Sequence, residues 1–95
     1  MKQYTVYIMS NHTNSVLYTG STSQPEIRFN KHHDGFYANA FTKKYNIYKV
    51  LWLQHFASAQ EMVQAERKIK GWRRSKKLNL IREINPNFEN LIRTN

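Results

Sequence analysis

The chain has no cysteine, so it has no disulfide framework and no thiolate zinc site. It is short of acid: six Asp and Glu stand against 15 Lys and Arg, giving a net charge of +9. That balance argues against an acidic or neutral binding surface and points to an anionic partner, nucleic acid first and a membrane surface second. No apolar run is long enough to span a bilayer. The first residues, MKQYTV, lack a signal-peptide apolar region, so a cytoplasmic location is expected. Internal repeats, low-complexity tracts and an interdomain linker are all missing. Ninety-five residues are therefore expected to form one domain, 1–95, with a modest core over about 4–91.

What is present begins with Tyr4 to Gly20, YTVYIMSNHTNSVLYTG. Two β-prone runs flank Asn11 to Ser15, a cluster of turn residues, and Gly20 is expected to end the second run. Folded as a hairpin, they bring Tyr7 and Tyr18 near each other, with Gly20 allowing close backbone approach. Ser23, Pro25 and Glu26 then read as a capped helix start, running to Asp34 with Gly35 as its stop. Ile27 and Phe29 are its expected core contacts. Arg28 and His32, four apart, share a face, while His33 points about 100° away.

Phe36 to Lys44 mixes aromatics, Asn and Lys without a period and reads as a loop. Bases could stack on Phe36, Tyr37 or Phe41, with Lys43 and Lys44 meeting phosphates. The plainer reading, aromatics folded back onto the core beneath the loop, carries more weight. Ile47 to Phe56 is expected to be the third strand, central because its apolar residues fall on both alternations. Ser58 to Glu61 is a second capping box, opening an amphipathic helix with Met62, Ala65, Ile69 and Trp72 inward. Glu66 falls at the edge of that stripe, and Gly71 suggests a bend. Ser75 is the expected cap of a third helix, with Leu78, Ile81 and Ile84 inward, ended by Asn85-Pro86. The tail is expected to fold back through Phe88, Leu91 and Ile92.

Arg67, Lys68, Lys70, Arg73, Arg74, Lys76 and Lys77 place seven positive charges in eleven residues. Without them the net charge falls from +9 to +2, so the excess is concentrated here. Such a patch holds a polyphosphate backbone without reading sequence. Trp72 beside it reads as core. Each remaining candidate also has an ordinary structural account. Two tyrosines suit sheet packing. Arg28 and His32 suit a solvated helix face. Glu66 can pair with Lys70 four residues on.

The pattern TVY, ten residues, then YTG resembles the two-part signature of the GIY-YIG nuclease superfamily, particularly its small stand-alone bacterial members of uncharacterised function. Thr5 replaces the first Gly of the name-giving motif and Thr19 its second Ile. The order Tyr7, Tyr18, Gly20, Arg28, His32, Glu66 matches the superfamily's site residues, and AERKIKGWRRSKKLNLI also looks much like the stand-alone members. The resemblance implies a small α/β (α+β) sandwich with a three-stranded, mainly antiparallel sheet flanked by helices. It implies metal-assisted phosphodiester hydrolysis with one Mg²⁺ or Mn²⁺ on Glu66 and Arg28 on the phosphate. Tyr7, helped by His32, would orient or deprotonate the attacking water, with Tyr18 in support. An active-site Asn is known in the superfamily, and Asn79 and Asn85 are both candidates. The expected partner is nucleic acid, DNA first, with no small-molecule cofactor and no membrane. The alternatives are a non-catalytic nucleic-acid-binding module of the same fold and, below it, an adaptor for an acidic protein.

Overall fold

The computed structural model describes residues 2–33 and 39–92, with side chains described throughout except at residues 31–33. Three strands, β1 (Tyr4–Ser10), β2 (Leu17–Thr22) and β3 (Lys49–Phe56), form an antiparallel sheet in the order β2-β1-β3. Helix α1 (Pro25–His33) follows the hairpin, and a short α2 (Ala40–Lys44) precedes β3. Helices α3 (Ala59–Lys70) and α4 (Arg74–Ile84) complete the elements found among the described residues. None of the described helices is long and apolar enough to cross a membrane.

Alternation along β1 divides the core between the two faces of the sheet. Val6 and Ile8 pack with Leu51, Trp52, Ile69 and Ile81 on the side covered by α3 and α4. Tyr7 and Met9 pack with Phe29 of α1, Ile47 and Val50 on the other. Six consecutive β1 residues, Thr5 to Ser10, are buried, as a central strand requires. The central strand is therefore β1, and the expectation for β3 is corrected: it lies at the sheet edge. Two features explain why β3 is apolar on both alternations. The ladder slips between Ile8 and Met9, so that Ile8 pairs with Trp52 and Met9 with Val50. Leu51 is the extra residue, and both it and Trp52 join the α3/α4 side. The C-terminal tail then covers the outer edge. Leu91 donates its N–H to Val50 O at 2.8 Å, and Asn90 Oδ1 accepts from Val50 N–H at 3.0 Å.

Several local expectations are also revised. Gly20 does not end β2, which continues to Thr22. Ile27 is 50% exposed, leaving Phe29 as the buried anchor of α1. Thr22 Oγ1 accepts from Gln24 N–H in the turn that leads into α1. Residues Asp34, Gly35, Phe36 and Tyr37 lie outside the described residues. The segment after them is not all loop, because Asn39 caps α2 through a reciprocal box with Thr42.

Ser58 caps α3 as expected, accepting from Glu61 N–H, while Glu61 accepts from Ala57 N–H. Gly71 terminates α3 rather than bending it. Arg73, not Ser75, is the N-cap of α4, without a side-chain capping bond, and Ile84 is exposed. Thr19, where the motif resembled above has Ile, is buried with its hydroxyl unpartnered among the described residues. That desolvation costs on the order of 1–3 kcal/mol.

Candidate active site

Cross-strand pairing builds the site from the hairpin. Tyr7 lies opposite Gly20 and Met9 opposite Tyr18, so the two tyrosines sit diagonally on one face. Gly20 is required by contact rather than by backbone angle. A Cβ there would lie 2.7 Å from Tyr7 Oη, 2.8 Å from Tyr7 Cζ and 3.0 Å from Tyr18 Cε2. The Tyr7 ring is held from the other side by Phe29, at 5.3 Å between centroids and 84° between planes.

Helix α1 brings Arg28 onto this pair, where its Nη1 donates to Tyr7 Oη at 2.9 Å. Tyr7 is fully buried and Arg28 partly exposed. Burial raises the Tyr7 pKa above the ordinary phenol value, because desolvation disfavours the phenolate, while the Arg28 guanidinium pulls the other way. Tyr7 is consequently a neutral phenol at neutral pH. The charge of Glu66 also acts on it in the raising direction, which places that carboxylate within electrostatic reach. The His32 side chain lies outside the described residues.

Glu66 approaches from the opposite side of the sheet. Its helix α3 packs on the Val6 face, and Ser21, paired with Val6, donates its hydroxyl to Glu66 Oε1. Glu66 Oε2 accepts from Lys70 Nζ at 3.3 Å, the expected i,i+4 pair. The Glu66 side chain is 22% exposed. The structure thus joins Tyr7, Tyr18, Gly20 and Arg28 directly on one face, with Glu66 reaching β2 from the other.

Sequence reasoning missed two residues here. Ser21 orients Glu66 across 45 residues of chain, and its adjacency to the YTG motif was the one available signal. Asn39 donates Nδ2 to Tyr18 Oη at 3.0 Å, and nothing local in the sequence indicates that contact.

The basic run is not a uniform stripe. Arg67, Lys68 and Arg73 are exposed. Lys70 is engaged by Glu66. Arg74 donates Nη1 to Ser15 O at 3.0 Å and Nη2 to Asn14 O, so it braces the hairpin loop. Lys76 lies 4.2 Å from the Trp72 ring centroid. Lys77 is partly buried, and desolvation followed by repulsion from Lys70 lowers its pKa. Lys43 and Lys44 are exposed in the last turn of α2.

Neither asparagine candidate joins the site contacts. Asn85 is buried and locks the tail, donating Nδ2 to Leu51 O at 3.0 Å and Glu89 O at 2.8 Å and accepting from Glu89 N–H. Asn79 accepts from Arg82 at 3.1 Å.

Comparison with known proteins bears on the fold and the family. The chain is similar to a UPF0213 protein from Bacillus halodurans, whose structure was solved by NMR in solution. The two share 27% sequence identity at a TM-score of 0.58, covering 93% of this chain and 92% of that one. No curated protein matches. The model of the GIY-YIG catalytic domain matches residues 3–79, which include Tyr7, Tyr18, Gly20, Arg28 and Glu66. On that match, over most of its length, the chain belongs to the GIY-YIG catalytic domain family.

Proposed function

We propose that this chain is a metal-dependent endonuclease that hydrolyses phosphodiester bonds in nucleic acid, DNA first. The family is of nuclease type, which makes nucleic acid the substrate class. The observation that carries the reading is the Arg28–Tyr7 hydrogen bond beside Tyr18, at the rim of β2 that Glu66 reaches from behind.

The donor set at Glu66 fits one particular kind of metal. Among the described residues no group of three or more His, Cys, Asp or Glu converges. A dedicated zinc cage is therefore a poor match, whereas Mg²⁺ or Mn²⁺ is commonly held by one or two carboxylates with waters and substrate phosphate. Glu66 would hold the ion, and Ser21 keeps the carboxylate aimed. When bound, such an ion supplies positive charge against the scissile phosphate and the leaving oxygen.

The remaining roles follow from burial and hydrogen bonding. Arg28 receives the phosphate through guanidinium N–H groups other than the one given to Tyr7, and stabilises the developing charge. Tyr7 accepts from Arg28 and so fixes its guanidinium, and, helped by His32, it would orient or deprotonate the attacking water. Tyr18 is partly exposed and presents its hydroxyl to water or to a phosphate oxygen. His32 is kept as a proton carrier by its position one turn after Arg28 on α1.

One observation favours the alternative, a nucleic-acid-binding module without catalysis: both Glu66 oxygens already have protein donors. Arg28→Lys separates the two readings. It keeps the charge but loses the fork. Single-turnover cleavage is expected to fall roughly a hundredfold, as when one preorganised donor to a transition state is removed. Binding to the same strand, measured by fluorescence anisotropy, is expected to change far less because the basic surface remains. Equal loss in both would make Arg28 a binding residue only.

The basic surface has its own test. Arg67, Lys68 and Arg73 are the exposed members to change, since Arg74 braces the loop. Neutralising all three to Gln is expected to flatten the log–log salt dependence of duplex binding by about 2 to 3. An unchanged slope in the folded variant would place the phosphate contacts elsewhere.

A further inference from the structure

Helix α2 is turned the wrong way for a helix that only supports the core. Its buried side chain is Thr42, fully buried, while Phe41 remains 43% exposed and Tyr45, which caps it, 38% exposed. The two aromatic residues are four apart and in tilted ring contact, 4.8 Å between centroids at 52°. Phe41 in turn meets Tyr18 of the candidate active site in a tilted contact, at 5.9 Å and 31°. Asn39, the cap of α2, fixes that junction by donating to Tyr18 Oη. The position of Phe41 corrects the expectation that it folds back onto the core beneath a loop. Lys44 flanks the ladder, its Nζ 5.3 Å from the Tyr45 ring centroid.

From this arrangement we infer that the Tyr18–Phe41–Tyr45 ladder is a stacking platform for unpaired nucleobases. It would receive a single-stranded segment next to the scissile phosphate. The inference rests on the nuclease reading for the position of that phosphate, and adds the substrate class: single-stranded or locally unpaired nucleic acid. Three features support this occupant over an apolar partner. Exposed ring faces suit bases of any identity, because every base presents a π-face. Lys44, beside Tyr45, provides charge complementary to a sugar–phosphate backbone. The ladder is continuous with Tyr18, so a strand lying along it runs straight into the tyrosine–arginine pair. A fully paired duplex keeps its bases stacked inside and cannot use the rings.

The test is equilibrium binding by fluorescence anisotropy in chelator-containing buffer, so that it does not depend on cleavage. Four end-labelled probes are compared: a non-self-pairing single-stranded DNA, the RNA of the same sequence, the same DNA strand made abasic, and its fully paired duplex. Phe41→Ala is expected to weaken binding of the natural single strand roughly five- to hundredfold while leaving the abasic strand and the duplex within about twofold. Phe41→Trp is expected to restore it. A larger loss on DNA or on RNA supports the platform and names the sugar it prefers. Equal loss on all probes, or loss on none, with circular dichroism showing folded protein, overturns the platform. Selective binding without any cleavage of wild type would leave the platform standing and count against the nuclease reading. Cleavage of single strands that Phe41→Ala leaves intact, with no selective binding, would do the reverse.

Discussion

Glu66→Gln is expected to abolish Mg²⁺-dependent cleavage. The substitution nearly preserves shape and removes one negative charge at the rim of β2. The single amide oxygen can still accept from one of the two donors that hold the carboxylate, Ser21 on Oε1, while the pairing of Oε2 with Lys70 is lost. Those contacts set the scale of the structural effect. An exposed i,i+4 pair such as Glu66–Lys70 is worth only about 0.3–0.5 kcal/mol, so thermal unfolding should shift little. The chemical effect is of another order. A carboxylate that neutralises and places a divalent ion against phosphate has no substitute among the described residues, where no cluster of other ligands exists. Single-turnover cleavage should therefore drop by at least a thousandfold, the scale on which transition-state charge stabilisation is lost. Binding in metal-free buffer should stay equal or tighten slightly, since a charge repelling phosphate has gone. Wild-type cleavage by a folded Glu66→Gln protein would reduce Glu66 to a helix-surface pair.

Gly20→Ala is expected to damage both stability and activity through one steric event. The added methyl would meet the Tyr7 phenol at 2.7–2.8 Å, inside any normal carbon contact. Tyr7 cannot retreat, because it is fully buried with Phe29 against its ring. Overpacking of this kind costs about 1–3 kcal/mol, which for a domain of this size lowers Tm by roughly 5 to 20 °C. Moving the Tyr7 oxygen also moves its partner Arg28, and a displacement near 1 Å can cost about a hundredfold in rate. Gly71→Ala is the matched control: its nearest contacts would be Lys68 O at 3.6 Å and Arg67 O at 3.7 Å. With αR geometry at that helix end, it should be neutral or mildly stabilising. Thermal unfolding by circular dichroism, with cleavage measured below the lower Tm, checks both. A Gly20→Ala protein as stable and active as wild type would mean that Tyr7 is not confined as described.

The contrast between these two glycines shows what could be read from residue order and what needed the folded chain. The hairpin was legible because strand alternation and turn chemistry are local, and its register brought Tyr7 over Gly20 and diagonal to Tyr18. The apolar stripe of α3 was legible for the same reason, since Met62, Ala65, Ile69 and Trp72 recur at helical spacing and do pack inward. Strand order was not. Apolar residues on both alternations marked β3 as doubly covered, but the cover comes from a bulge at Leu51 and from Asn90 and Leu91, some 40 residues away. Ile27 and Ile84 likewise obey helical spacing yet are 50% and 57% exposed, since helical periodicity alone does not decide which face meets the core. The contacts that aim the candidate site, Ser21 to Glu66 and Asn39 to Tyr18, join distant segments and leave no periodic trace. Short α2 escaped notice because five residues give too few turns for a period, and its aromatics face outward.

The most direct measurement is a single-turnover time course of wild-type protein with end-labelled single-stranded and duplex DNA and RNA, in Mg²⁺ or Mn²⁺ and again with chelator. Internal cleavage of at least one nucleic acid is expected with the divalent ion, and none once the ion is chelated. Folded protein that binds these strands yet cleaves none of them, or that cleaves equally well in chelator, would contradict a metal-dependent site built on Tyr7, Arg28 and Glu66.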